Sequence, residues 1–371
     1  MILTADLHIH SLFSMAASKN TTPELLENSC RIKGIDVLGS GDAFHPVWRK
    51  SWDDFLFESD LSVIPSAEVE GEKKVHHLIL MKDFSIAGEI SEKLAPYSPN
   101  IKKSGRPNVS ISAEALSEIV HDCGGYIGPA HAFTPWTGMY GRFGSLAECY
   151  GEEKPDFLEL GLSADTSYGN KISELDDIPF LSNSDAHSFF LHKIGREFNK
   201  VDARSKSPED VLDSVLNGNI VMNAGFFPEE GKYNRTACSK CYRQFTPDEA
   251  EKLKWKCPHD GGRIKMGVHD KSVLMADSVI ESIRPPYLHI MPLGEIIKEV
   301  LNVSSPMAKK CCSLYSRLIS EFGNEIFILT EAPVEEISEI DRSTGIAIEK
   351  FRQGKVKLIP GGGGMYGRFE I

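Results

Sequence analysis

No stretch of this 371-residue chain is apolar for long enough to span a membrane, and the opening Met1–Asp6 lacks the basic region followed by an apolar one that marks a secretory leader. No membrane partner is therefore expected, and a cytoplasmic protein is. Cysteine is scarce as well. Eight in the whole chain are too few for a disulfide scaffold, and in a reducing compartment closely spaced thiols more often hold metal. Cys30, Cys123, Cys149, Cys311 and Cys312 form no such spacing and read as buried apolar thiols. A basic surplus is also missing. The formal charge of −12 excludes a wholly basic nucleic-acid-binding surface, but the acidity is uneven. Residues 1–230 carry 20 Lys and Arg against 35 Asp and Glu, whereas residues 231–371 carry 21 against 18 and the window 232–271 alone has 10 against 5. An acidic body joined to a mildly basic remainder suits a catalytic region with a separate module for a polyanion. The length exceeds a usual single core and allows two or three domains.

What the chain does have, up to about residue 225, is alternation of short apolar runs with polar, helix-like stretches. The runs predict strands at Ile2–Leu7, Asp36–Ser40, Leu61–Ala67, Val75–Leu80, Gly125–Pro129, Asp156–Leu160, Pro179–Ser182 and Asn219–Met222. Pro23–Lys33, with proline in its first turn, and Ser112–Cys123, which opens like a capped helix, lie between some of them. Such alternation predicts parallel strands with helical crossovers, hence a barrel or an open α/β sheet. Beyond a compact, Cys- and Lys-rich segment at 232–268, helices are expected at Lys271–Ile283, Leu293–Leu301, Pro306–Phe322 and Val334–Arg352, with strands at Glu325–Leu329 and Lys355–Ile359.

Several of the early runs end in metal-ligand residue types: Asp6-Leu7-His8-Ile9-His10, Asp42 with His45, Ala67-Glu68, His131, and Ser184-Asp185-Ala186-His187. Residues two apart on a strand face the same way, so His8 and His10 present both rings to one side, and Asp185 and His187 project together. Glu68 can bridge two cations. Alternation lets only one of His76 and His77 point inward, and His77 is taken as that ligand. Nine such groups exceed one tetrahedral zinc and suit two or three divalent metals, zinc or alternatively manganese or magnesium, at a hydrolytic site. Asp185, His187 and His131 are the candidate catalytic members. A second pattern, Cys238-Ser239-Lys240-Cys241 and then Cys257-Pro258-His259-Asp260, has the spacing of a structural zinc site, with Asp260 as fourth ligand and His259 competing for that place. A third feature is an internal repeat: Gly138–Phe143 recurs letter for letter as Gly364–Phe369. With Trp136 it offers Tyr140 and Tyr366 as stacking faces and Arg142 and Arg368 as phosphate clamps.

On the opening motif, Asp42 and His45, Glu68, His131 and the 184–187 motif, residues 1–225 resemble the PHP family of polymerase and histidinol phosphatase domains. That resemblance implies a distorted (β/α)7 barrel with up to three metals held by His8, His10, Asp42, His45, Glu68, His77, His131, Asp185 and His187. Where many PHP proteins continue the opening motif with Ser-Asp-Gly, this chain has Ser14-Met15-Ala16. The whole order, barrel at 1–230, zinc module at 231–270 and helical tail at 271–371, together with Arg284–His289, Glu331-Ala332-Pro333 and the glycine-rich Pro360–Gly367, is similar to the endonuclease Q family. This implies a DNA-repair enzyme that nicks duplex DNA 5′ to uracil, hypoxanthine, xanthine or an abasic site, extruding the damaged base and leaving 3′-hydroxyl and 5′-phosphate ends. A sliding clamp is a candidate partner of such an enzyme, but no clamp-binding motif is read at Ile371. A small-molecule phosphoesterase of the histidinol-phosphate phosphatase type, and a non-catalytic DNA-binding PHP protein, are the alternatives.

Overall fold

The computed structural model describes residues 1–56, 59 and 61–370; Ile371, where the clamp motif was sought, lies outside them. The fold is α/β with a helical C-terminal region. Among the described residues, ten strands make the first part: β1 (Ile2–Asp6), β2 (Val37–Gly39), β3 (Ser62–Ile64), β4 (Ser66–Glu70), β5 (His76–Leu80), β6 (Tyr126–Pro129), β7 (Leu158–Glu159), β8 (Phe180–Leu181), β9 (Phe198–Asp202) and β10 (Ile220–Gly225). Strand β1 lies between β2, to which it is parallel (Ala5 opposite Val37), and β9, to which it is antiparallel (Leu3 opposite Val201). Strand β10 runs antiparallel to β9 on its other side. Strands β4, β5 and β6 form an antiparallel sheet, and β7 pairs with β8 in parallel. The pieces are tied by main-chain bonds such as Asp156 N–H to Ile127 O (2.8 Å) and His10 N–H to Ala186 O (2.8 Å).

The expectation of parallel strands thus holds only locally. Strand β9 escaped the pattern search because Asn199 is fully buried beside Phe198, so its polar residue faces inward and erases the alternation. The apolar run at 325–329 is a helix, Glu325–Thr330, rather than the expected strand. Asn324 caps it by accepting from Phe327 N (2.8 Å), and a short run buried all round fits either structure. The expected helix at 334–352 is two helices, Val334–Ile340 and Arg342–Arg352, because Asp341 leaves helical geometry to accept from Thr344 N (2.8 Å). The helix expected at 271–283 occupies Val268–Met275.

The C-terminal helices share one apolar core with the first part. Leu26, Cys30 and Ile35 pack in the same cluster as Leu293, Ile297, Leu318 and Ile348. Across that seam the buried Lys33 ammonium meets Glu325 at 2.6 Å, and Glu325 also accepts from Tyr315 Oη and Leu293 N. A lone charge there would be costly, so each partner depends on the other. The small segment at 231–270 has one two-stranded ladder, β11 (Ala237–Cys238) with β12 (Ile264–Lys265), and a helix Pro247–Lys252 closed by a Thr246/Glu249 capping box. Strand β13 (Tyr287–His289) adds to β10, and β14 (Lys357–Ile359) pairs with β15 (Arg368–Glu370). Between the last two, the glycine run lies against β11; a Cβ on Gly363 would meet Cys238 O at 2.2 Å. Among the described residues no helix is long and apolar enough to cross a membrane.

Candidate metal centre and adjoining cleft

The donors from the strand ends gather in two buried groups. His8, His10 and Asp185 make one, with His10 Nε2 3.1 Å and His8 Nε2 3.9 Å from Asp185 Oδ1. Glu68, His76 and His131 make the other, with Glu68 Oε1 2.7 Å from His76 Nδ1 and 3.0 Å from His131 Nε2. The second oxygen of Glu68 reaches the first group, at 3.3 Å from His10 Nε2 and 3.9 Å from His8 Nε2. One carboxylate therefore spans both. His8 Nε2, His10 Nε2, His76 Nε2, His131 Nδ1 and Asp185 Oδ1 are buried without a hydrogen-bond partner among the described residues. Three of these, His8 Nε2, His10 Nε2 and Asp185 Oδ1, belong to the first group, where leaving them unmatched would be costly in a metal-free protein, and the mix of imidazole and carboxylate fits divalent ions.

Electrostatics agree with that donor set. Burial by itself would raise the Glu68 carboxyl, but the imidazoles of His76, His10 and His131 hold it well below the usual range. Against the same burial penalty, His10 and His8 keep Asp185 low. The backbone is strained here too: Asp42 (φ 47°), His131 (φ 32°) and Asp185 (φ 46°) all occupy the left-handed region without being glycine.

Of the expected ligands, His77 is corrected to His76. Register puts Glu70 opposite His76 and Val69 opposite His77, so alternation aims His76 to the side of Glu68 and sends His77 the other way. There His77 Nδ1 bonds Tyr150 Oη at 2.8 Å, and burial pushes its pKa down to about 3. Asp42 joins neither group. Its Oδ2 accepts from Ser11 N (2.8 Å), Ser11 Oγ (2.5 Å) and Ser14 Oγ (2.9 Å), while Oδ1 faces His10 Nδ1 at 3.1 Å. His45 stacks on Phe13 with ring centroids 3.7 Å apart, and His187 stands at the rim, 4.3 Å from the His10 ring. Sequence reasoning missed two residues. Glu159 bonds His8 Nδ1 from inside a strand that was recognised but credited with no ligand, and Arg106 donates from Nη1 to Glu68 Oε2 at 3.1 Å from a loop with no periodicity to flag it.

Cys238, Cys241, Cys257 and Asp260 also come together, with Cys241 Sγ 3.7 Å from Cys257 Sγ and Cys238 Sγ 3.4 Å from Asp260 Oδ1. These separations match the edges of a zinc tetrahedron with bonds of about 2.0–2.3 Å. His259 is exposed and outside the group.

Beside the two buried groups lies a cavity of about 560 Å³ walled by Trp136, Tyr233, Tyr366 and Phe226, with Lys232 and Arg196. Arg196 Nε donates to Ser184 O (2.8 Å), next to Asp185, so the cavity adjoins the metal-ligand loop. Glu230 and Asn234 are among the residues around it, but Glu230 Oε1 and Asn234 Oδ1 are themselves buried without partners among the described residues, and burial pushes the Glu230 carboxyl up to about 7. The repeated hexapeptide meets here only in part. Tyr366 is 70 % exposed in the cavity wall, but Tyr140 is buried and donates to Glu174 Oε1 (2.8 Å), which corrects its reading as a stacking face. Arg142 Nε donates to Trp136 O (2.6 Å) and its side chain lies near Lys73 and Lys74, whereas Arg368 is exposed on β15.

Residues 292–355 match a family model described as the MJ0043 C-terminal domain. The chain is 42% identical to the uncharacterized protein MJ0043 of Methanocaldococcus jannaschii over 69% of its own length, but it spans only 32% of that protein. It is 30% identical to the uncharacterized protein YqxK of Bacillus subtilis over 99% of this chain and 98% of that one. Among solved structures, the lesion-specific endonuclease PfuEndoQ from Pyrococcus furiosus is 40% identical with a TM-score of 0.95, covering 100% of this chain and 96% of its own. An Endonuclease Q bound to a 27-mer duplex with an abasic lesion at the active site is likewise 40% identical, with a TM-score of 0.92 over 100% and 97% of the two chains.

Proposed function

Because the chain belongs to the endonuclease Q family, we propose that it is a metal-dependent repair endonuclease that nicks duplex DNA 5′ to a deaminated base or an abasic site. The observation that carries this reading is the pair of donor groups joined by Glu68 and opening beside an aromatic-walled cavity. On this reading the strands of residues 1–230 form the distorted PHP-type barrel, 231–270 is a structural zinc module, and 271–371 helps hold the duplex.

His8, His10 and Asp185 would hold one divalent ion, Glu68, His76 and His131 another, with Glu68 between them. His187 stands 4.3 Å from the His10 ring, at the edge of the first group, while His45 stacks on Phe13 and Asp42 is left to hold His10. Bound there, divalent metals supply Lewis acidity toward phosphoryl oxygens and an acidified water. The chain's own contribution is orientation and charge. Arg106, at the mouth against Glu68, can turn its guanidinium to a non-bridging phosphate oxygen, where a positive charge favours the charge-rich transition state. His131 and His187 flank the reacting phosphate. A stacked base hides the groups that mark deamination, so the lesion must leave the helix; uracil and hypoxanthine pair weakly, which lowers that cost. The cavity walled by Trp136, Tyr233 and Tyr366 gives the extruded base aromatic faces, with Lys232 and Arg196 beside them. A sliding clamp is no part of this proposal.

The test is incubation of the protein with end-labelled duplexes carrying one uracil, hypoxanthine or abasic site, in parallel with phosphomonoesters, under Zn²⁺, Mn²⁺ or Mg²⁺. One nick 5′ to the lesion with a polymerase-extendable 3′ end, absent in Asp185→Asn, is expected. Phosphomonoester hydrolysis with intact DNA would replace this reading by a small-molecule phosphoesterase.

A further inference from the structure

Glu159 is fully buried on β7, and no Lys or Arg among the described residues forms an ion pair with it. An unpaired carboxylate in such a place is costly unless hydrogen bonds satisfy it. Its hydrogen bonds reach both halves of the metal centre. Both oxygens lie 3.0 Å from His8 Nδ1, Oε2 accepts from the backbone N–H of His131 at 2.8 Å, and Oε1 accepts from Asn183 Nδ2 at 2.8 Å. Its main-chain oxygen adds a bond from Ala132 N (2.8 Å), so side chain and backbone together grip the strained turn that carries His131. Gly161 closes the back of that turn, where a Cβ would meet His131 Cβ at 2.4 Å.

A carboxylate only accepts, so His8 Nδ1 must carry the proton. With the ring neutral, as a metal ligand must be, that leaves the lone pair on Nε2, the atom that faces Glu68 and Asp185 without a hydrogen-bond partner. We propose that Glu159 is the positioning residue that couples the two donor groups, fixing the tautomer and aim of His8 in one and the backbone of His131 in the other. This rests on the two-group reading of the metal centre. It predicts a signature that a ligand confined to one group cannot give: losing the Glu159 carboxylate should weaken both ions together.

Glu159→Gln keeps the volume but turns one acceptor into an NH₂ facing donors already aimed at that site. Titration of the metal-free protein with Co²⁺, followed by visible absorption, should show both affinities reduced by about 10- to 100-fold. Asp185→Asn, titrated alongside, should weaken the first group far more than the second. In the unsubstituted protein with Zn²⁺ bound, two-dimensional ¹H–¹⁵N imidazole spectra should show His8 protonated at Nδ1, a measurement that needs no variant to fold. Unchanged Co²⁺ affinities in Glu159→Gln, a loss confined to one group, or a His8 proton on Nε2 would each overturn the coupling role while leaving the metal centre standing if Asp185→Asn still loses its ion. Wild-type affinities in Asp185→Asn would remove the metal-centre reading, and the role of Glu159 with it.

Discussion

In the α/β body, His8, Glu68, His131 and Asp185 are held on strands and turns backed by large apolar clusters, and hydrogen bonds to Asp42 and Glu159 aim the imidazoles without help from an ion. In the segment 231–270 the buried apolar cluster is Cys238, Ala250, Cys257 and Ile264, and two of those four are themselves in the donor group. The body can therefore fold first and bind metal into a preformed site. The small segment has too little core to do so, and on the proposed zinc-module reading ligation would supply much of its folding energy. The same residue chemistry thus leads to opposite consequences when a ligand is lost: chemistry in one place, structure in the other.

The sharpest test of this contrast is His76 against His77. Alanine at His76 should lower cleavage by about 100-fold or more, because a donor of the Glu68 group disappears, while melting of the metal-free protein barely moves. Alanine at His77 should do the reverse: metal content stays, and about 2–4 kcal/mol of stability is lost with the Tyr150 bond and the packing around it. Equal metal loss in both variants would break the contrast at its centre.

Next in size is Cys241→Ser. Bound zinc should fall by one equivalent, the 231–270 segment should become sensitive to protease, and DNA affinity should drop by about tenfold as its basic side chains lose their placement. The main melting transition should persist. A full complement of zinc in this variant, or collapse of the whole fold, would count against separate foundations.

The smallest effect concerns a carboxyl of the body that takes no part in the metal groups. Glu197 is buried with Oε2 unpartnered, and burial pushes its pKa from 4.5 up to about 8. The folded state thus binds this proton more tightly than the unfolded chain. Its contribution to stability is fully present below about pH 4.5 and is lost as pH rises through about 8. Glu197→Gln keeps the acceptor for Phe226 N and removes the charge, so it should melt a few degrees above wild type at pH 9 and merge with it near pH 5. Parallel melting curves across that range would show that folding does not raise the Glu197 pKa.

Much of the site was legible because strand ends punctuate the sequence. Apolar runs stopping at His8, Glu68, His131 and Asp185 located four of the six grouped donors from pattern alone, and His10 follows from its spacing to His8. Two-residue spacing likewise located the Cys238, Cys241, Cys257 and Asp260 donor group, and the geometry places Asp260 in it rather than His259. What stayed hidden depended on phase or on distant partners. His76 and His77 differ by one residue, and only the pairing of β5 with β4 decides which of them shares a face with Glu68. Glu159 and Arg106 sit 91 and 38 residues from Glu68 in sequence, a separation no local period can bridge.

The hexapeptide draws that line most clearly. Its first copy contains a helical turn, Met139–Arg142, with Tyr140 locked in the core by Glu174. Its second copy begins in the glycine turn and ends in β15, with Tyr366 exposed in the cavity wall. By itself the sequence determined the donor types, their spacing, the caps and the places where chain direction changes, because those are set by side-chain chemistry and backbone geometry over a few residues. The tertiary structure alone decided which conformation each copy adopts and which face each residue shows. Six residues make too few local bonds to outweigh the burial and hydrogen bonding that their distant neighbours provide.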